Sequence, residues 1–165
     1  MQDGDLINPN PIIHQRRALR STANKGRLLT AESQRDEIDA LEVFEHVRDI
    51  CDPEHPYTLE QLNVIGEELI HVDDVKGRIS LTFTPTVNHC SMATLIGLCL
   101  RVKLLRVMPA RFKVDIAVTP GSHNSEGAVN KQLADKERVA AALENPNLLD
   151  MVEKCLSGVG GGLGV

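Results

Sequence analysis

The segment from Met92 to Met108 constrains the fold most, because its first half, "MATLIGLCL", is apolar on almost every side of a helix. A helix without a polar face is buried all round, so other elements must pack around it. Basic side chains gather towards its end, where they suit the helix dipole, and Pro109 lies just past the end. We therefore predict a central, buried helix over Met92–Met108.

The other apolar patterns supply the elements around this helix. The sequence predicts strands in "EELIHV", "RISLTFT" and "RFKVDIAV", and the apolar residues of the last two alternate. Helical spacing predicts an amphipathic helix from Asp36 to the stop at Asp52-Pro53, and one further helix in "AVNKQLADKERVAAAL". Asn145-Pro146 has the form of a cap and first turn, so "NLLDMVEKCL" starts a separate final helix. The predicted order is α-β-β-α-β-α-α, an α+β fold in which helices cover a small three-stranded sheet.

Composition along the chain separates one domain from two tails. Residues 1–35 are polar and weakly periodic, which predicts a disordered N-terminal tail, with "NPNPIIH" as a short segment that could dock. Residues 36–157 are predicted to form a single α+β domain. Residues 158–165, "GVGGGLGV", are predicted to be a flexible glycine-rich tail.

The overall composition excludes several classes of protein. Aromatic residues make up 2% of the chain and the net charge is −5, so we expect no nucleic-acid binding. The most apolar run is too short to cross a bilayer, and no secretory signal is evident, so we expect no membrane association. The four cysteines lack any Cys-x-x-Cys spacing, which predicts free thiols rather than a disulfide framework or a zinc finger.

Cys90 is the sharpest candidate for chemistry. In "TPTVNHCSM" it stands between the strand that ends near Thr84 and the central helix. A helix N-terminus stabilises a thiolate, so this position favours nucleophilic attack or binding of a soft metal, and His89 could add a charge or a ligand. The alternative is an inert cysteine that packs the start of the helix.

The remaining cysteines are interpreted as packing residues. Cys99 lies further along the same helix, on the side opposite to Cys90, so the two cannot chelate one metal within a continuous helix. Cys155 lies on the final amphipathic helix. Cys51 could approach Cys90 only through tertiary folding.

Three further polar groups invite a functional or a structural interpretation. In "DPEHP", Asp52, Glu54 and His55 could do acid–base work, but such residues more often satisfy backbone donors. Ser122, His123 and Ser125 lack a Gly-x-Ser-x-Gly elbow and are interpreted as a loop. The charged stretch "KQLADKER" is either a solvated helix face or a surface for a partner.

The stretches "DPEHP", "FTPTVNHCSMATLIGLCLRVKLLR" and "VNKQLADKERVAAALENPNLL" resemble the cytosolic iron–sulfur assembly component 2 family. These are the galla or MIP18-type proteins, related to bacterial SufT and PaaD, and the likeness is greatest to the B branch. The resemblance covers residues 36 to 157. It implies an adaptor rather than an enzyme, one that helps a targeting complex to deliver [4Fe-4S] clusters to cytosolic and nuclear apo-proteins.

The resemblance also implies the site. The reactive cysteine of the family's Thr-Pro-Thr-x-x-His-Cys motif corresponds to Cys90, with Thr86 and His89 beside it and Asp52 and Glu54 nearby. No cofactor is expected to bind stably. Cys90 is expected to ligate a [4Fe-4S] cluster transiently or to contact the client's empty site.

The implied partners are a WD-repeat propeller protein, a HEAT-repeat protein and apo-protein clients, in the cytoplasm and nucleus, and a homodimer is also compatible. Candidate partner contacts lie in the charged stretch, at Lys131, Asp135, Lys136, Glu137 and Arg138. Two other classes stay open at this stage. One is a thiol enzyme with Cys90 as nucleophile and His89 or His55 as base. The other is a purely structural bridge.

Overall fold

A computed structural model of the chain describes the backbone of residues 12–14, 37–86 and 90–163, and the side chains of all of these except Cys90 and residues 158–163. Helix α1 spans Ala40–Val47, and the carboxylate of Asp39 caps it by accepting from the Glu42 N–H at 2.9 Å. Helix α1 begins later than the predicted helix, because the capping residue Asp39 lies within the stretch that the apolar spacing assigns to the helix. The disordered tail predicted for residues 1–35 lies outside the described residues, except for Ile12–His14, where the His14 N–H donates to the Gln61 carbonyl.

The sheet contains three strands in the order β1-β2-β3. Strand β1, Ile70–Asp73, pairs antiparallel with β2, Arg78–Phe83, and β2 pairs parallel with β3, Lys113–Val118. A 3₁₀ turn over Glu67–Leu69 occupies the first part of the predicted "EELIHV" strand. The β1–β2 turn closes at Gly77, whose φ of 65° favours glycine. All three strands were predicted from the sequence, β2 and β3 from the alternation of their apolar residues.

Helix α2 spans Cys90–Val107 and connects the parallel strands β2 and β3. Its first half is buried as predicted, with Ala93, Ile96 and Leu100 at most 1% exposed. Arg101 of α2 connects this helix to two later elements. Its guanidinium donates to the Val114 carbonyl of β3 and to the Leu133 carbonyl of the helix that follows β3.

The charged helix predicted as one element is two helices in the structure. Helix α3, Glu126–Ala134, ends before Asp135, and α4, Lys136–Glu144, begins after it. The backbone of Asp135 is extended, and its carboxylate accepts from two N–H groups of the first turn of α4. The prediction of one continuous helix was therefore wrong, because an aspartate that satisfies free N–H groups can start a new helix.

Helix α5 spans Pro146–Leu163, with Asn145 capping it as the sequence predicts. The helix continues into the segment predicted to be a flexible glycine-rich tail, and the flexibility itself stays a prediction. The observed order is α-β-β-α-β-α-α-α, which confirms the α+β class and adds one helix to the predicted order.

Candidate functional site

The ends of β2 and β3 are joined by a hydrogen bond between two hydroxyl groups. Because the strands are parallel, their carboxyl ends lie at the same edge of the sheet. Thr84 follows β2 and Thr119 follows β3, and their Oγ1 atoms are 3.0 Å apart. The Thr119 N–H also donates to the Phe83 carbonyl at 2.8 Å. This edge therefore fixes the start of the segment that leads to Cys90.

Cys90 is the first residue of α2. The first N–H groups of a helix have no partner within the helix and carry partial positive charge, so this position favours a thiolate. The sequence predicts a helix that starts close to Cys90, and the structure confirms it. The neighbouring His89 and the side chain of Cys90 lie outside the described residues.

Helix α3 begins at the same edge as α2. The short loop after β3 leads directly into α3, and the Val118 N–H donates to Asn130 Oδ1 at 2.7 Å. The two helices run alongside each other, since Thr94 Oγ1 is 3.3 Å from Gln132 Oε1 and Gly97 packs closely against Leu133. The start of α2 and the loop after β3 therefore belong to one region of the surface.

His123, in the loop after β3, is a residue that sequence reasoning set aside. It is 6% exposed, and its Nδ1 accepts the Ser125 N–H at 3.0 Å, which leaves Nε2 as a buried donor. Neither His123 Nε2 nor Thr86 Oγ1 has a hydrogen-bond partner within the described part of the chain. The loop interpretation of Ser122 is confirmed, because its hydroxyl donates to the Thr119 carbonyl in a turn. Burial is the feature that marks His123 as a candidate, and no pattern in the sequence predicts that burial.

The turn that contains Asp52 has a clear structural role. Asp52 Oδ1 accepts from the Glu54 N–H at 2.8 Å and from the His55 N–H at 3.0 Å, which confirms that this carboxylate satisfies backbone donors. Asp52 Oδ2 and Glu54 Oε2 are buried without a hydrogen-bond partner among the described residues. That Asp52 and Glu54 lie close to Cys90 stays a prediction.

Three of the cysteines, Cys51, Cys99 and Cys155, lie close together. Cys99 is fully buried and Cys155 is 5% exposed, which confirms them as packing residues, and Cys51 is half-buried. The Cys51 N–H donates to the Cys155 carbonyl at 2.9 Å, and the thiols of Cys99 and Cys155 hydrogen-bond each other. No set of three His, Cys, Asp or Glu side chains within the described residues has the spacing to hold a metal ion.

The surroundings of these three thiols shift their pKa values in different directions. The hydrogen bond between Cys99 and Cys155 raises the pKa of Cys99, where burial acts in the same direction, and lowers the pKa of Cys155. Burial raises the pKa of Cys51, with the neighbouring Cys155, Asp49 and Asp52 adding to it. Cys155 is therefore the thiol of the three that most readily ionises.

The charged residues predicted to contact partners lie at the junction of α3 and α4. All five are exposed, and Asp135 also caps α4. The junction thus presents a fixed, mixed-charge surface made of Lys131, Asp135, Lys136, Glu137 and Arg138.

No helix among the described residues is both long and apolar enough to cross a membrane.

Comparison with known proteins finds relatives along nearly the whole chain. A family model described as an iron-sulfur cluster assembly protein matches residues 41–118. The chain is 59% identical over 151 residues to Protein AE7 of Arabidopsis thaliana, covering 92% of this chain and 95% of that protein. It is 56% identical to cytosolic iron-sulfur assembly component 2B of Mus musculus, with 93% of each chain covered. It is 51% identical to the MIP18 family protein galla-2 of Drosophila melanogaster, covering 94% of this chain and 98% of that one.

Proposed function

The chain belongs to the cytosolic iron–sulfur assembly component 2 family, and we propose that it is an adaptor that helps to deliver [4Fe-4S] clusters to apo-proteins in the cytosol and nucleus. It works in a targeting complex with a WD-repeat propeller protein and a HEAT-repeat protein. It brings the complex and the client together and has no turnover chemistry of its own.

The position of Cys90 carries this proposal. The family motif places its cysteine at the first residue of α2, where the free N–H groups favour a thiolate. A [4Fe-4S] cluster is usually held by four thiolates, so a single cysteine can hold the cargo only together with thiolates from a partner or client. Incomplete ligation suits transfer, because the client completes the coordination and takes the cluster.

Two buried polar atoms at the same edge support this role for Cys90. Thr86 Oγ1 and His123 Nε2 have no hydrogen-bond partner among the described residues. Both are donors, and donors near a cluster sulfur or a thiolate stabilise its negative charge. We assign these two atoms the role of donating hydrogen bonds to an incoming sulfur ligand.

Anaerobic reconstitution tests the proposal directly. The full chain is combined with iron and sulfide, with and without its propeller and HEAT-repeat partners, and followed by absorption and Mössbauer spectroscopy. We expect an iron–sulfur signature that requires both Cys90 and a second chain. The Cys90→Ser variant should lose this signature and load clients much more slowly.

Cys51→Ser is the matched control, because Cys51 is a partly exposed cysteine outside the proposed site. It should keep the signature. If Cys90→Ser loads clients at the wild-type rate while the complex still assembles, the role of Cys90 is wrong and the chain is a structural bridge. If the isolated chain turns over a small electrophile with Cys90 as the nucleophile, the chain is a thiol enzyme.

The surface at the junction of α3 and α4 is proposed to contact the partner subunits. Lys136→Glu reverses one exposed charge there and should weaken co-purification with the partners. Lys76→Glu, in the exposed β1–β2 turn, is the matched control and should have no effect. Equal co-purification of both variants with the partners would remove the junction from the interface.

A further inference from the structure

Cys51, Cys99 and Cys155 have no part in the function proposed above, yet the fold brings them together. They come from the segment after α1, from α2 and from α5, and Cys155 touches both of the others. These three described residues do not have the spacing to hold a metal ion.

The backbones of Cys51 and Cys155 are close enough for a disulfide. The Cys51 nitrogen lies 2.9 Å from the Cys155 carbonyl oxygen. The nitrogen is about 1.5 Å from its own Cα and the carbonyl oxygen about 2.4 Å from its own Cα, so the two Cα atoms are at most about 6.8 Å apart. Disulfide-bonded cysteines typically have Cα atoms at or below this separation.

Access and reactivity also favour this pair. Cys51 is partly exposed, so a water-sized oxidant can approach it from solvent. The Cys99 thiol hydrogen-bonds Cys155 and stabilises its thiolate, whereas Cys99 itself is fully buried. Cys155 is thus the attacking thiol, and Cys51 is its exposed neighbour.

We propose that Cys51 and Cys155 are a modification site that hydrogen peroxide converts to an intramolecular disulfide. The Cys51 sulfur, as its thiolate, attacks one peroxide oxygen, the O–O bond breaks, and the departing hydroxide takes the thiol proton to become water. The Cys155 thiolate then attacks the sulfur of the resulting Cys51 sulfenic acid, the S–O bond breaks, and the departing hydroxide takes a proton to become a second water. Two thiols are oxidised to one disulfide, and one peroxide is reduced to two waters.

This disulfide would fasten α5 to the turn that contains Asp52 and Glu54. Cys51 directly precedes that turn, and Cys155 lies on α5. Oxidation therefore fixes two elements that the reduced protein holds only by hydrogen bonds and packing. A reductant such as dithiothreitol reverses it.

Peptide mapping of the full chain tests the proposal. Reduced protein is treated with hydrogen peroxide, its free thiols are alkylated in denaturant, and trypsin digests it without reductant. Cleavage after Lys and Arg puts Cys51 in residues 49–76, Cys90 and Cys99 together in 79–101, and Cys155 in 155–165. We expect residues 49–76 joined to 155–165, and a thermal unfolding midpoint raised by about 5 °C or more because the bond closes a long loop.

Two variants control the mapping. Cys51→Ser should abolish the joined peptides, and Cys99→Ala should retain them because Cys99 is not a member of the bond. The peptide map of the wild-type protein tests the proposal even if either variant fails to fold. The proposal is overturned if Cys51 and Cys155 remain alkylated, or if the bond joins Cys155 to Cys99 or Cys90.

Discussion

At the scale of single residues, a buried ion pair joins Arg48 and Glu60. Arg48 Nε lies 3.0 Å from Glu60 Oε1, and Nη2 lies 2.9 Å from Oε2. Both residues are at most 5% exposed, and the guanidinium also stacks over the Phe44 ring at 5.2 Å. The pair holds α1 against the turn that begins with the capping box of Thr58 and Gln61.

Breaking this pair on one side should be costly. Arg48→Met leaves the Glu60 carboxylate buried without its cation, and we expect the free energy of unfolding to fall by about 3–5 kcal/mol. Chemical denaturation measures this. The double variant Arg48→Met/Glu60→Leu should be more stable than the single variant, because no uncompensated charge remains.

The exposed pair Arg78–Asp115 is the control for this prediction. Its atoms are 3.8 Å apart, and both side chains are more than 60% exposed. Arg78→Met should therefore cost less than about 1 kcal/mol. If the two single variants lose the same stability, burial does not govern the strength of the Arg48 pair.

At the scale of elements, the contact between α2 and α3 depends on Gly97. A Cβ at this position would lie 2.5 Å from Leu133 Cδ1, and Leu133 is only 1% exposed. The absence of a side chain thus lets α3 approach α2 beside the candidate site. The sequence shows the glycine but not the helix that packs on it.

Gly97→Ala should destabilise the protein even though alanine favours helices. We expect a loss of about 1–3 kcal/mol, because the buried Leu133 has little room to move. In α3, Gly127→Ala meets nothing within 4 Å and should stabilise the protein by up to about 1 kcal/mol. Thermal and chemical unfolding of both variants compare the two effects, and a stabilising Gly97→Ala would show that the helices can separate.

The break between α3 and α4 depends on Asp135. Its carboxylate accepts from the Glu137 N–H at 3.0 Å and the Arg138 N–H at 3.2 Å. Asp135→Ala should lower the free energy of unfolding by about 0.5–2 kcal/mol, whereas Asp135→Asn should retain most of the stability because asparagine also caps helices. Equal losses for both variants would assign the effect to charge rather than to capping.

At the scale of the whole molecule, Arg106 and Glu153 connect α2 to α5 across the surface. Arg106 Nη1 donates to Glu153 Oε2 at 3.1 Å. This hydrogen bond lowers the pKa of Glu153 below its ordinary value of 4.5. A carboxylate with a lowered pKa stabilises the folded state above its unfolded pKa, and that stabilisation is lost as pH falls through the folded pKa.

The loss should therefore begin near pH 4.5 and deepen below it. Both side chains are about half exposed, so we expect a contribution below about 1 kcal/mol. Denaturation curves between neutral and acidic pH should show a shallower decline for Glu153→Gln than for wild type. Identical pH dependence in the two proteins would mean that the ion pair adds no stability.

Local patterns in the sequence predicted most elements of the molecule. The sequence predicted the three strands, with alternation as the signal for β2 and β3, and the unbroken apolar run predicted the buried first half of α2. The Asn145 cap was also evident, because a cap involves residues only a few positions apart. The position of Cys90 near the start of a helix followed from the same local signals.

Tertiary structure alone decided which distant residues meet. Thr84 and Thr119 bond across parallel strands, His123 is buried in a loop, and Cys155 contacts both Cys51 and Cys99. Periodicity reports which face of an element is buried, but not which element covers it. The sequence by itself therefore determined most of the elements, the cap at Asn145 and the position of Cys90, whereas the surroundings of the site and the meeting of three thiols arose only from packing between elements far apart in the chain.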